Sequence, residues 1–433
     1  MVASSALPFI GFPADNASAP GDSSVSGLVI IGASYAGVQT ALSAREAGYA
    51  EPIRIVSDED TLPYQRPPLS KAYILTSMAE TKLVLRGEKF FTDKKIDLVL
   101  NARATRIDRA GKRVELEGKP AVPFDKLVIA TGSRARLLPT TAAAQNIFYL
   151  RSLADARALK AHLEKSSDLV VIGGGFIGLE VAASAAKLGK KVTVIESTKR
   201  LIERALSPVL SQYLRDIHES HGVTIRFSET VTGMAANGNA TEIHCANGDK
   251  LNADLVLVGI GGIPNGEIAA EAGIGCENGI MVDAFGFSDN SEVLAAGDCT
   301  SHYNALVKRN IRLESVQHAQ DQAKSAGAAI AGVRTPYTAI PRFWSDQYEA
   351  KLQMVGLSEG HDTHAIRGSI AEGKFSVFLF RTGRLVAIDS VNRPGDQMIG
   401  RRLIASSVAI TPDQAADAAF DLKSLAMEEA RDE

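Results

Sequence analysis

Two stretches, LVIIGASYAGVQTALSAREAG (Leu28–Gly48) and LVVIGGGFIGLEVAASAAKLG (Leu169–Gly189), read the same way. Each is a short apolar run, a glycine-rich turn and a helix-compatible stretch. Each is followed by a second β-branched run that ends in acid, IRIVSDED (Ile53–Asp60) and KVTVIES (Lys191–Ser197). Strand, glycine turn, helix and strand make a βαβ unit. A lone GxGxxG is a weak sign, because glycines also punctuate ordinary turns. Two copies, each after a strand and opening a helix, imply two dinucleotide-binding sites.

In the first copy Gly32 makes the tight turn, Ser34 to Ala36 let the backbone approach a pyrophosphate, and Gly37 lets the helix pack close to its strand. Ser34 stands where the second glycine is usual, so the match is not a pure GxGxxG. The helix start offers amides and a positive dipole end to phosphate. Asp58 or Glu59, after the second strand, can take a ribose hydroxyl pair while the other stays solvated. The second copy has the full motif in Gly173, Gly175 and Gly178. Glu196 ends its next strand, where a carboxylate accepts from an adenosine ribose and repels a 2′-phosphate, so NADH is expected over NADPH. Lys199 and Arg200 lie close enough to blur that preference.

Around these units the chain has 433 residues, about three domains' worth, with 45% hydrophobic and 22% charged residues. A net charge of −3 provides no global reason to bind nucleic acid or an anionic membrane. No apolar run reaches the ~18 residues of a membrane span. Cys245, Cys276 and Cys299 share no CxxC or CxxxxC spacing, and the eight histidines show no HxxxH or HExxH, so neither a redox disulfide nor a metal site is predicted. Residues 1–26 lack Lys and Arg and read as a disordered leader without a signal peptide, which points to the cytoplasm. Short alternating strands follow each βαβ unit, in TRIDRAGKRVELEG and in VTGMAANGNATEIHCANGDKLNADLVLVGIG. A C-terminal antiparallel sheet with helices is predicted from KLQMVGL, KFSVFLFRTGRLVAIDSV and DQMIGRRLIA. From Thr411 a short amphipathic helix and a frayed end are expected.

Further elements appear in order: PYQRPPLSKAYI (Pro63–Ile74), VIATGSR (Val128–Arg134), LAAGDCT (Leu294–Thr300), RLESVQHAQDQA (Arg312–Ala323), FWSDQY (Phe343–Tyr348) and VNRPGDQM (Val391–Met398). With the glycine units, over about residues 27–405, the chain resembles the FAD- and NADH-dependent ferredoxin reductases of the putidaredoxin- and rubredoxin-reductase type. The resemblance implies a glutathione-reductase-like α/β fold: two Rossmann-like dinucleotide-binding domains plus a C-terminal α+β domain. The FAD domain takes residues 27–140 and 263–335, the NADH domain 141–262, the C-terminal domain 336–410, and 411–433 form a tail.

The same resemblance implies residue roles. Lys71 lies near the isoalloxazine, where an ammonium favours the anionic reduced ring, and Glu180 partners it beside the nicotinamide. Ala104 meets the adenine through its backbone, and Thr131 and Gly132 mark the exit from the first FAD segment. Arg66 and Arg151 are candidates for phosphate or flavin hydrogen bonds. Asp298 serves the ribityl chain, Val316 brings its amide to the pyrimidine end, and Trp344 covers the flavin or nicotinamide region. Gly262 is assigned to the NADH side, with Pro264 and Asn265 at the return to the FAD domain.

The redox-disulfide members of the wider group place CxxxxC on the first helix, and here that helix has no cysteine. Hydride enters and single electrons leave. Cys299 has no accompanying base and is read as packing. The expected partner is a small, acidic iron–sulfur ferredoxin, steered by a basic patch of Arg381, Arg384, Arg393, Arg401 and Arg402. Two other readings remain open: a reductase of a quinone- or monodehydroascorbate-type small acceptor, and a redox-responsive flavoprotein whose NADH complex changes partners.

Overall fold

The structure, a computed structural model, describes residues 25–139 and 146–428; most of the expected leader therefore lies outside the described residues. Six helices of eight or more residues occur among them: α1 (Tyr35–Glu46), α2 (Leu153–Leu163), α3 (Phe176–Lys187), α4 (Pro208–Ser220), α5 (Val316–Ile330) and α6 (Pro394–Ser406).

Both glycine units form parallel sheets. In the first the strand order is Val293–Ala295, Lys126–Ile129, Leu28–Ile31, Ile53–Val56, Ile96–Val99. In the second it is Thr224–Arg226, Lys191–Ile195, Asp168–Ile172, Leu255–Val258, Ile147–Phe148. Leu28–Ile31 and Leu255–Val258 are buried at every position, as strands covered on both faces must be. One strand of the first sheet comes from beyond residue 290, so the second sheet is an insertion within the first domain. The chain leaves and returns through an antiparallel ribbon, Ser133–Ala135 with Gly262–Pro264. Thr131 Oγ1 donates to Asn265 O at 2.6 Å and Asn265 Nδ2 donates back to Thr131 O at 2.9 Å, which pins the crossing.

Helices α1 and α5 cover one face of the first sheet. Gly327 permits their approach, since a Cβ there would sit 2.5 Å from Thr40 O and 2.8 Å from Ser43 Cβ. Three-stranded meanders follow each unit, Ala104–Pro123 and Val231–Ala253, and pack on the opposite faces.

The third sheet is antiparallel, ordered Arg342–Gln347, Ala350–Gly356, Arg384–Val391, Lys374–Arg381, Thr363–Ser369. Leu352, Phe375, Val377 and Leu379 from one face join the core of the second sheet, while Phe378, Phe380 and Ile388 from the other pack with α6. The segment from Thr411, where one short helix is expected, forms two, Pro412–Ala416 and Leu422–Glu428, and the charged end after Glu428 lies outside the described residues. Ala415 and Leu422 are buried in the C-terminal core, and the Arg367 guanidinium donates to the carbonyls of Asp417, Ala418 and Phe420. A buried arginine that satisfies several chain carbonyls explains why this stretch packs.

Candidate functional site

The two glycine turns are built alike. Gly32 (φ +114°) and Gly173 (φ +105°) sit in the left-handed region against a neighbouring strand end, where a Cβ would lie 2.2 Å from Ala130 O and 2.4 Å from Gly259 O. Gly37 and Gly178 face the turn itself, with Gly32 O and Gly173 O at 1.9 and 2.4 Å from the virtual Cβ. Gly175 differs: only Gly259 O, at 3.9 Å, lies near its Cβ position. Its smallness is not needed for packing, which leaves the open space for a ligand. Helices α2, α4 and α5 are capped by the side chains of Ser152, Ser207 and Ser315. At α1 Ser34 makes no cap hydrogen bond, and at α3 Gly175 has no side chain to make one. Helix α6 also lacks a side-chain cap but opens on Pro394. Open cradles and uncapped amides at the two glycine helices fit a pyrophosphate at each.

Beside the first turn the structure separates the two acids. Glu59 accepts from Arg66 Nη2 at 2.6 Å and from Tyr64 OH at 2.6 Å, so of the two acids left open by the sequence it is not the solvated one. Asp58 is exposed and has no hydrogen-bond partner among the described residues; it lines a cleft of about 420 Å³ with Asn101, Arg103 and Lys119. Arg66 also donates to Arg151 O at 2.7 Å and reaches Ser34 Oγ at 3.5 Å. Arg151 pairs with Asp298 at 3.0 Å. Arg66 and Arg151, read separately as ligand contacts, are thus linked in a bracket around the first turn. Gly132 (φ +65°) lies under the Arg151 guanidinium. Ala104 opens the first meander, half-buried, and Val316 begins α5.

A buried ion pair joins the two halves. The segment Pro67–Ser70 is a short 3₁₀ turn, set by consecutive prolines, and it brings Lys71 Nζ to 2.8 Å from Glu180 Oε1 on α3. Glu180 is 5% exposed. Ser70 Oγ donates to its Oε2 at 2.5 Å, and Ser345 Oγ donates to its Oε1 at 2.6 Å. Ser184, one turn further along α3, donates to Ser70 O at 2.9 Å. Three donors on one carboxylate offset the penalty of burying it. Ser70 and Ser345 were not foreseen. The alternation of FWSDQY puts Ser345 and Gln347 on one pleat face, but only packing shows what that face meets.

Glu196 is buried and held by its own turn: Oε2 accepts from Gly174 N at 2.7 Å, and Oε1 accepts from Thr198 N and Oγ1 at 2.7 and 2.8 Å. Arg200 is drawn away from it, donating to Leu206 O, Ser211 Oγ and Glu203 O. Gly262 lies against Glu314, whose Oε1 would be 2.7 Å from a Cβ. Trp344 is 37% exposed, on the pleat face opposite Ser345. Phe343 beside it packs on Phe176, the first residue of α3, with ring centroids 4.5 Å apart. Cys299 is fully buried, and burial pushes its thiol up to about 11, in keeping with packing.

In the arginine-rich C-terminal segment only Arg393 has an acidic partner among the described residues, and Arg381 and Arg384 keep their charge on neutral acceptors. Arg393 pairs with Asp396 at 2.5 Å, Arg384 donates to Ser407 Oγ, and Arg381 donates to the carbonyls of Leu306 and Glu359. Arg401 and Arg402 are exposed on α6 with no side-chain partner among the described residues. No helix of the described residues is long and apolar enough to cross a membrane.

A family model for pyridine nucleotide-disulphide oxidoreductases matches residues 26–323, and one for a reductase C-terminal domain matches residues 342–426. Rhodocoxin reductase of Rhodococcus erythropolis is 46% identical over 398 residues, 92% of this chain and 93% of that one. Putidaredoxin reductase of Pseudomonas putida is 38% identical over 405 residues, 92% and 96% of the two chains. Among solved structures, the ferredoxin reductase for the CYP199A2 system from Rhodopseudomonas palustris superposes with a TM-score of 0.90 at 41% identity, covering 93% of this chain and 100% of that one. The reductase in the covalent putidaredoxin reductase–putidaredoxin complex gives 0.89 at 38% identity, covering 94% and 99%.

Proposed function

Because the chain belongs to the pyridine nucleotide-disulphide oxidoreductase family and carries its reductase C-terminal domain, we propose that it is an NADH:ferredoxin oxidoreductase serving a cytochrome P450 or Rieske oxygenase. One NADH is oxidised to NAD⁺ with release of a proton, and two iron–sulfur ferredoxins are each reduced by one electron. The observation that carries this reading is the Lys71–Glu180 pair, because it joins the segment beside the first glycine turn to the helix that opens the second.

FAD bound at the first turn supplies a hydride acceptor that can release electrons singly. Asp58, Asp298 and the amides that open α1 would hold it, with Ala104, Thr131, Gly132 and Val316 contributing backbone. Glu196 and the turn Gly173–Gly178 would hold NADH, and Glu180 with Lys71 would orient the nicotinamide beside the flavin. Trp344 would cover that junction, beside Phe343, which packs on the start of α3. The three cysteines form no disulfide among the described residues, which suits single-electron exit and a cytoplasmic setting.

The reading is tested by NADH-driven reduction of cytochrome c with and without an added two-iron, two-sulfur ferredoxin. Turnover that requires the ferredoxin is expected. Fast turnover of a quinone without a protein carrier, or a stable NADH complex without turnover, would overturn it. Reversing charge at Arg401 and Arg402 should raise the ferredoxin KM about fivefold and leave ferricyanide reduction unchanged, if α6 steers the partner.

A further inference from the structure

The strand that carries Ser345 is held over α3 by an unusual clamp. Arg342–Gln347 is an edge strand with a single neighbour, so its position across α3 is not set by the sheet alone. Its hairpin turns through Tyr348 and Glu349, and Tyr348 adopts φ +53°, a left-handed conformation uncommon for a bulky residue. Such strain persists only where the surroundings impose it. Here they do. The Tyr348 ring meets His218 on α4 edge-on at 5.0 Å and stacks at 3.8 Å on His221, the residue that follows the end of α4. Lys187, at the end of α3, lies 5.7 Å over the same ring.

Beneath the clamp runs a buried line of hydrogen bonds. His218 Nε2 lies 2.8 Å from Gln347 Oε1, Gln347 Nε2 donates to Ser345 Oγ at 3.1 Å, and Ser345 Oγ donates to Glu180 Oε1 at 2.6 Å. Tyr348 OH is 3.4 Å from His218 Nδ1. His218 and Ser345 are fully buried and Gln347 is 1% exposed. The protons in this line can be assigned. The Gln347 amide nitrogen is used on Ser345, so its oxygen must accept, and His218 must carry its proton on Nε2. Its Nδ1 is then free to accept from Tyr348. Burial drives the His218 imidazole down to about 4, so at neutral pH it has one proton to place. Every donor points the same way, toward Glu180, and aligned bonds polarise one another.

We propose that His218, Gln347 and Ser345 form a one-directional hydrogen-bond relay that positions Glu180, and through it Lys71, for hydride transfer. They are positioning residues and touch neither nucleotide in this reading. The inference rests on the placement of Glu180 at the nicotinamide. It assigns work to residues on two domains, α4 beside the second sheet and the edge strand of the third, so the C-terminal domain would act on hydride entry as well as electron exit.

The test pairs a spectroscopic readout with transient kinetics on the FAD-loaded enzyme. Nitrogen-15 NMR of histidine-labelled protein should show one imidazole protonated on Nε2 and slow to exchange, assigned to His218 by its loss in His218→Gln. That signal should shift in Gln347→Leu and in Ser345→Ala. In stopped flow, Gln347→Leu and Ser345→Ala should each slow flavin reduction by NADH roughly tenfold, the weight of one buried hydrogen bond. Reoxidation of dithionite-reduced enzyme by ferricyanide should not change. His218→Leu should slow reduction similarly, and His218→Gln, which keeps a donor near the Nε2 position, should restore most of the rate.

An imidazole proton on Nδ1, or wild-type reduction rates in both Gln347→Leu and Ser345→Ala, would overturn the relay. Glu180→Gln separates the two levels. If it slows reduction while the relay variants do not, only the relay falls; if it leaves reduction unchanged, the placement of Glu180 falls and the relay with it.

Discussion

The two glycine turns share a fold but hold their acids differently. At the first, Glu59 is drawn into an ion pair with Arg66, and Asp58 stays exposed and without a partner among the described residues. At the second, Glu196 is buried and accepts four hydrogen bonds, from Gly174, Ser197 and Thr198. The first acid has to be organised by what binds there; the second is organised in advance. A site that retains its ligand can let the ligand complete it, whereas one that a substrate enters and leaves in every cycle gains from paying the ordering entropy during folding. The Arg66–Glu59 and Arg151–Asp298 pairs make the first site more enclosed, in keeping with a resident cofactor.

The sharpest way to break this comparison is to strain each turn. A Cβ on Gly32 would meet Ala130 O and one on Gly173 would meet Gly259 O, both at positive φ. Gly32→Ala should yield protein without flavin absorbance. Gly173→Ala should keep the flavin spectrum and slow reduction by NADH at least ~100-fold, a displacement of reactants rather than a loss of cofactor. Loss of flavin from both would show that the turns are not separate sites.

Exchanging the acids is the next step down. Glu196→Arg should raise kcat/KM for NADPH over NADH by about tenfold, through removed repulsion and an added phosphate partner. The gain is limited because the substitution also releases Gly174 and Thr198. Asp58→Asn should weaken FAD retention by about tenfold in a dialysis assay, with little effect on the apparent KM for NADH. An NADH-side effect of Asp58→Asn would contradict its assignment to the first site.

A smaller effect separates the regions by pH. Burial lowers His218 to about 4, on the side of the second sheet, and lowers His302 to about 3 and His318 to about 4 near the first turn. Above the ordinary value of 6.5 these groups are neutral in both folded and unfolded chains, so they contribute no pH dependence there. As pH falls from 6.5 toward 4, the unfolded chain binds protons that the folded one refuses, and stability declines by up to about 3 kcal/mol per histidine at pH 4. Neither ring nitrogen of His302 has a hydrogen-bond partner among the described residues. His302→Leu should therefore flatten the acid limb of a denaturation series without changing reduction by NADH. His218→Leu should flatten the limb and slow reduction as well. An unchanged acid limb in His302→Leu would refute its contribution.

The glycine motifs, the meanders and the C-terminal antiparallel sheet were legible because each is a local pattern: period-two alternation, a glycine at a forced turn, an acid at a strand end. Asp58 and Glu59 could not be told apart, since their fates depend on Tyr64 and Arg66, and the difference lies in which way two adjacent side chains point. The pairing inside the basic patch was illegible for a related reason. Charge is countable in sequence, but whether Arg393 finds Asp396 is a matter of helix geometry. The helical character after Thr411 was legible, but its packing was not, because its anchor, Arg367, lies more than forty residues earlier.

Sequence alone determined two nucleotide units, their order, the absence of a CxxxxC on the first helix and the Lys71–Glu180 pairing, the last through family resemblance. Tertiary structure alone decided which residues stand behind Glu180. Ser70, Ser345, Gln347 and His218 come from three separate chain segments, and no local rule links residues at such separations. Each becomes meaningful only because a buried carboxylate must find donors, and packing determines which donors are within reach.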